Sequence, residues 1–379
     1  MLAPAPRVSL RHERRVSLLA PLVTPLREAQ AGGSQAAVCE LARGLVAAGV
    51  DTELVAAPGS RVAGVRLLRF REGPFPEALL DLAAAAPQSQ PGPEQWPSRQ
   101  AGAYLRLAAR LRAGPPAVVH GHAHDWPALY ALAATGLPLV QTLHLGPVDP
   151  ATAAAATAAA SCRPRPRFVA VSASCARSWR DHLRVDAVIG NGLDPTSVPF
   201  SIAPRGDLAV IAGRISREKG VHVALDAVRA AGMRAVVAGP VYDAVYHREQ
   251  VVPRLDGIAA RHIGALSRRR LFDLFGRARV AVMASLWEEP FGMVALEANL
   301  AGTPVAGFRR GGLPDVVGGW GGVLADPGAG VAGLLTALRA AAGLDRAAVR
   351  AGAARHHSRS VMVDRYRRVY AQTVAGYRA

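Results

Sequence analysis

Short apolar runs alternate with amphipathic stretches along the whole chain, and glycine-rich turns separate them. Strand-like runs fall at Val16–Pro21, Asp51–Ala57, Val118–His120, Leu139–His144, Phe168–Ser172, Leu208–Ala212, Ala235–Pro240 and Val280–Ala284. Helical spacing follows several of them: Val38, Leu41 and Leu45 recur on one face, with Ser34 placed to cap the start, and Ala151–Ala160 is almost all alanine. Further helices are expected at Tyr104–Arg112, Cys175–Leu183 and Val221–Ala231. A chain that repeats strand, turn and helix has few options, and the expectation is an α/β protein with two doubly wound parallel sheets facing each other. A length of 379 residues suits two such domains. The Pro- and Ser-containing stretch Pro195–Gly206 serves as linker, which sets domains at 1–200 and 201–361. A basic helix is expected over 362–379. Residues 71–103, rich in Pro, Gly and Gln, look like an insertion or a surface loop.

The formal net charge is +17, yet the arginines are scattered and have no interleaved aromatics. This argues against a nucleic-acid partner and leaves two readings, an Arg-rich surface with a nucleotide-diphosphate site or an anionic membrane surface as partner. Three cysteines, Cys39, Cys162 and Cys175, show neither zinc nor disulfide spacing and fit a reducing cytoplasm. The apolar run after Arg14-Arg15 contains Pro21 and leads into a glycine loop, so a first strand is expected there, not a leader. No feature fixes an oligomeric state.

Two loops carry the chemistry. Ser285–Glu297 follows an apolar strand, places Glu289 before a Pro-Phe-Gly turn, and sets Glu297 on the helix that opens near Phe291-Gly292. The free N–H groups at that helix start, around Phe291, Gly292 and Met293, suit an anion. Two carboxylates close to an anion are costly, since like charges 4 Å apart repel by about 4 kcal/mol at an effective dielectric of ~20. The carboxylates must therefore face something neutral, such as sugar hydroxyls, while cations hold the anion. Gly213-Arg-Ile-Ser-Arg-Glu-Lys-Gly220 supplies Arg214 and Lys219, and Lys219 is the single lysine in a chain otherwise served by arginine.

Elsewhere, Gly32 and Gly33 lie between a strand and a helix, where backbone can approach a diphosphate. His120, His122, His124 and His144 stand at or just beyond two strand ends, and Asn191 sits in an Asn-Gly turn. The histidines lack a helical pair and a carboxylate-rich neighbourhood, which argues against a metal. A satisfied structural role fits His120 and His144.

Taken together, Gly-Arg-x4-Lys-Gly, Glu-Pro-Phe-Gly-x4-Glu-Ala, Ala301-Gly-Thr-Pro-Val305 and Gly311-Gly-Leu-Pro-Asp315 resemble the C-terminal half of a retaining glycosyltransferase of the large fourth family. That family has the GT-B fold of two Rossmann-like domains around a cleft and is related to glycogen synthases. Asp315 departs from the glutamate usual there. The resemblance implies a nucleoside-diphosphate sugar as donor and a small molecule or glycan as acceptor. It implies that Glu297 holds the ribose, that Glu289 orients the sugar, and that Arg214 and Lys219 meet the diphosphate. Amides at Phe291–Met293 and at Gly32-Gly33 would add donors, and the backbone near Gly239, Ile263 and Leu266 would hold the base. His122 is the implied sugar contact and His124 the fallback; His144 and Asn191 are further candidates for sugar or acceptor. With no obvious covalent nucleophile for the opposite face, front-face transfer of a hexose to a hydroxyl is expected, the departing phosphate taking the acceptor proton; Glu289 as a nucleophile is the other course. No Asp-x-Asp occurs in the chain, so no metal cofactor is expected. The Arg- and Ala-rich composition resembles that of actinobacteria, and by association with the enzymes of this family there the resemblance implies a role in specialised-metabolite or cell-envelope glycans. Epimerase, pseudo-glycosyltransferase and lipid-acceptor variants of the same fold are the alternatives.

Overall fold

The computed structural model describes residues 15–22, 25–27, 32–68, 96–114, 118–204 and 206–378. Two compact units result. The first holds Met1–Ala170, Ala176–Ile189 and Val363–Ala379, and the second holds Val171–Cys175 and Gly190–Met362.

In the first unit seven strands form one parallel sheet: β1 Arg15–Leu19, β2 Asp51–Val55, β3 Arg66–Leu68, β4 Val118–Gly121, β5 Leu139–Leu143, β6 Arg167–Ala170 and β7 Ala187–Val188. Their order is β3-β2-β1-β4-β5-β6-β7. The second unit has six: β8 Leu208–Ala212, β9 Arg234–Ala238, β10 Ala260–His262, β11 Val280–Met283, β12 Val305–Phe308 and β13 Gly322–Ala325. Their order is β10-β9-β8-β11-β12-β13, again all parallel. Both sheets reverse direction beside their first strand, between β1 and β4 and between β8 and β11. Such a reversal leaves a crevice at the carboxyl ends of the strands, where ligands settle in open α/β sheets.

The strands read as continuous apolar runs because helices cover both faces of a parallel sheet. In the second unit Leu225 and Val228 from one helix and Leu334, Leu338 and Ala341 from another bury against Ala209, Ile211, Val237 and Val282. A fully buried Leu or Val contributes about 1.5–3 kcal/mol, so this cluster supplies much of the unit's stability.

Several expectations shift. The first helix runs Gly33–Ala47 with Gly32 at its cap and no side-chain cap bond, so Ser34 lies inside the helix. A helix covers Trp96–Ala113, and thus takes in residues 96–103 that were expected in a loop. Pro97 stands in its first turn, where a missing N–H costs nothing. The rest of that loop, 71–95, lies outside the described residues. The helix expected over Cys175–Leu183 stops at Ser178. Trp179 turns inward, fully buried, and donates its indole N–H to the Leu145 carbonyl at 2.7 Å. The boundary expected after residue 200 moves to Ile189–Gly190. Arg346 donates to the Ser201 carbonyl and Arg350 to those of Pro195 and Val198, which ties this stretch to the second unit.

Candidate active site

In the second unit the loops after β8 and β11 meet at the strand-order reversal. Gly213 has φ +132 and leads into Arg214, and a 3-10 turn over Arg217–Lys219 ends at Gly220 with φ +62. A Cβ on Gly220 would run into the Ala284 carbonyl, so only glycine lets the two loops close. The Leu286 N–H donates to the Glu218 carbonyl at 2.8 Å across the same seam. The result places Lys219 Nζ 2.5 Å from Glu289 Oε2. From sequence, cation and carboxylate had separate duties; in the fold they touch.

Three donors converge on that one oxygen. Besides Lys219, the Trp287 indole N–H lies 3.2 Å away and the Ser285 hydroxyl 3.4 Å, a longer and weaker contact. The Lys219 ammonium also stands 5.4 Å from the centroid of the Trp287 ring. The Lys219 and Glu289 side chains keep 20% and 15% of their exposure, so the pair is partly desolvated yet reachable. Removing one member would leave an uncompensated charge there.

The backbone behind Glu289 is set by the distant glycine pair. Gly311 has φ +57, and a Cβ on it would strike the Glu289 backbone. The Gly312 N–H donates to the Glu289 carbonyl at 2.6 Å, and the Gly311 N–H to Glu288 Oε2 at 2.7 Å. Asp315, from the same motif, accepts the Ala173 N–H at 2.6 Å. Gly292, with φ +104, then caps the helix Met293–Leu300 behind a buried Phe291, and that helix carries Glu297. Arg268 Nε lies 3.6 Å from Glu297 Oε1.

Arg214 lies with its guanidinium 4.8 Å from the centre of the Tyr242 ring. Gly239 at the end of β9 packs so closely on the Gly213 carbonyl that no side chain fits, and its own carbonyl faces His262 Nε2 at 2.8 Å. Ile263 is exposed, Leu266 half-buried and Asn191 buried.

The first unit gathers the histidines at its own reversal. His120 Nδ1 meets the Tyr370 hydroxyl at 2.7 Å, and His120 Nε2 meets Thr142 Oγ1 at 2.7 Å, which in turn meets the Tyr366 hydroxyl at 2.8 Å. His122 Nδ1 pairs with His144 Nε2 at 2.9 Å, and its Nε2 is buried without a hydrogen-bond partner among the described residues. His124 Nδ1 is similarly unpartnered. Burial drives His120 and His122 well below the ordinary histidine value, and holds His144 at about 3. All three are neutral at neutral pH. Among the described residues no cluster of histidine, cysteine and carboxylate suits a metal ion. Gly32 and Gly33 open the helix after β1.

Sequence reasoning missed Trp287, Ser285, Tyr242, Arg268 and the two C-terminal tyrosines. No local period announces Ser285 and Trp287: the chain bends at Leu286 and Trp287, and that bend brings both side chains round to Glu289.

Residues 31–197 match Glycosyltransferase Family 4, and residues 199–345 match Glycosyl transferases group 1. The chain is 33% identical over 268 residues to the glycogen synthase of Mycobacterium tuberculosis, which is 63% of this chain and 63% of that protein's length. It is 28% identical over 387 residues to D-inositol 3-phosphate glycosyltransferase 2 of Catenulispora acidiphila, with 86% of this chain and 87% of that one covered. The structure of the Anabaena protein HepE in complex with UDP-glucose superposes with a TM-score of 0.68 at 18% identity, over 95% of this chain and 99% of that one. Two adjoining family matches, on two parallel sheets of the same strand order, place this chain among the GT-B glycosyltransferases of the family-four and group-one type.

Proposed function

We propose that the chain moves a hexose from a nucleoside-diphosphate sugar to a hydroxyl of a small molecule or glycan, with retention at the anomeric carbon and without a divalent metal. The observation that carries this reading is the Lys219–Glu289 contact, built at the strand-order reversal of the second unit. A diphosphate arriving there meets the Lys219 ammonium, with Arg214 on the same loop. Glu289 then turns its free oxygen to sugar hydroxyls, which are neutral. In the transfer the acceptor oxygen bonds to the anomeric carbon as the bond from that carbon to the phosphate oxygen breaks. The departing phosphate takes the acceptor proton. Charge growing on the leaving group is what fixed cations and amides stabilise best, and loss of one such donor costs about 10²–10³ in rate. Glu297 would hold the ribose, with the loops around Gly239, Ile263 and Leu266 on the base. In the first unit, His122 offers its unpartnered, buried Nε2 as the sugar contact.

The solved Anabaena relative is named with UDP-glucose, and other relatives are named for glycogen and D-inositol 3-phosphate. A test follows from these names. Each of the UDP-, GDP-, ADP- and dTDP-hexoses is incubated with the protein plus glycogen, D-inositol 3-phosphate or a panel of hydroxylated small molecules, with EDTA present. Release of nucleoside diphosphate that depends on acceptor, with product of unchanged anomeric configuration, is the expected result. Conversion of donor alone into another sugar nucleotide would favour an epimerase and contradict the proposal. Cytoplasmic placement at the inner membrane face belongs to the same proposal. Flotation with anionic vesicles tests it, and protein left at the bottom of the gradient would refute it.

A further inference from the structure

We infer that Trp287 is a positioning residue that decides which oxygen of Glu289 faces the sugar. The inference rests on the role proposed for Glu289 and Lys219. Glu289 has two carboxylate oxygens that are equivalent in free solution. In the fold they are not. Oε2 takes Lys219 at 2.5 Å, the Trp287 indole N–H at 3.2 Å and the Ser285 hydroxyl at 3.4 Å, while Oε1 has no hydrogen-bond partner among the described residues. A carboxylate held by lysine alone could rotate, because an ammonium is a point charge with three turning donors. The indole has one N–H in a rigid plane, and so it supplies the direction that lysine lacks. The same ring presents its face to the Lys219 ammonium at 5.4 Å, where the aromatic quadrupole attracts the cation. Trp287 therefore touches both members of the pair in two different ways, through its edge and through its face. Its edge orients Glu289 and its face steadies Lys219.

These two contacts can be cut separately. Trp287→Phe keeps a ring face for Lys219 and removes the N–H; Trp287→Leu removes both. With Phe, turnover falls about 10-fold, since a hydrogen bond to a charged group is lost, while nucleoside-diphosphate affinity stays within about two-fold. With Leu, turnover falls at least as far and nucleoside-diphosphate affinity falls about three- to five-fold as well. Acceptor KM and melting temperature stay close to wild type in both. A donor-independent reading comes from the indole ¹⁵N–¹H resonance of Trp287, assigned by its disappearance in Trp287→Phe. It moves upfield in Glu289→Gln, because a carboxylate acceptor has become an amide. An unmoved resonance overturns the inference whether or not any donor is known. So does Trp287→Phe with wild-type turnover, or a Phe variant that loses turnover and affinity by one common factor together with its melting temperature, which would be a packing role only. A wild-type protein that binds no nucleoside diphosphate would sink the proposed function, and the resonance would still decide the place of Trp287.

Discussion

The two units solve one topological problem with opposite electrostatics. Each sheet reverses strand order beside its first strand, and each reversal gathers polar side chains at strand ends. In the first unit the groups are histidines, buried to 0%, 2% and 5% exposure at His120, His122 and His144. Desolvation keeps them uncharged; hydroxyls meet both ring nitrogens of His120, and His122 and His144 pair with each other, which leaves His122 Nε2 unpartnered among the described residues. In the second unit a lysine and a glutamate, only partly desolvated, hold each other as an ion pair. Depth of burial thus separates a neutral hydrogen-bonding surface from a charged one on the same scaffold. Neutral imidazoles suit hydroxyl groups; an ammonium with a carboxylate suits a phosphate beside a sugar.

The largest expected effect breaks the charged side of this contrast. Glu289→Gln keeps the shape of the side chain and removes its charge, so transfer should fall about 10²–10³-fold. Nucleoside-diphosphate affinity should rise several-fold in the same variant, because Lys219 loses its carboxylate competitor. Single-turnover assays and calorimetry check the two halves, and turnover near wild type would remove Glu289 from the chemistry.

Next comes the pH dependence of the neutral side. Burial lowers His120, His122, His124 and His144, the last to about 3. The unfolded chain takes up protons near the ordinary value of 6.5 and the folded chain does not. Stability is therefore complete above about 6.5 and is lost as the pH falls toward 3, by up to about 1.4 kcal/mol per pH unit for each histidine within its window. Asp125 acts the other way. Burial raises it from 3.8 to about 6, so its contribution is present below 3.8 and lost as the pH rises through 6. One carboxyl against four histidines leaves a net loss on acidification. Urea denaturation at about pH 7 and about pH 5 should show the lower stability at the lower pH. Equal stability would mean that the histidines are not buried neutral.

The smallest effect sharpens the same region. Tyr370→Phe removes the hydroxyl at His120 Nδ1 and should cost about 1 kcal/mol in chemical denaturation, without altering nucleoside-diphosphate affinity. A change in affinity with no change in stability would reverse the assignment of this network as structural support.

Much of this organisation was legible in the chain itself, for reasons that differ by feature. Strands buried on both faces leave unbroken apolar runs, so β8, β9 and β11 were read within a residue or two. The loops of the site were legible because glycines mark backbone contacts that no other residue permits, as at Gly220 against Ala284 and Gly311 against Glu289. What escaped depends on partners far apart in sequence. Tyr370 and His120 are 250 residues apart, and no local pattern announces them. Strand β13 is four residues long and follows a run of glycines, which hides its period. The Pro-, Gly- and Gln-rich composition up to residue 103 read as a loop, although its end at Trp96-Pro97 is a helix start. Lys219 and Glu289 were each singled out, but their mutual contact required the β8 and β11 loops to be neighbours.

The central claim is that the one lysine of this chain meets the diphosphate. Calorimetric titration of wild type and Lys219→Ala with the nucleoside diphosphate of the active donor tests it directly. The account predicts that the variant binds about 10- to 100-fold more weakly, as loss of a charge-assisted hydrogen bond requires, while it melts near the wild-type temperature. Equal affinity in the two proteins would contradict it.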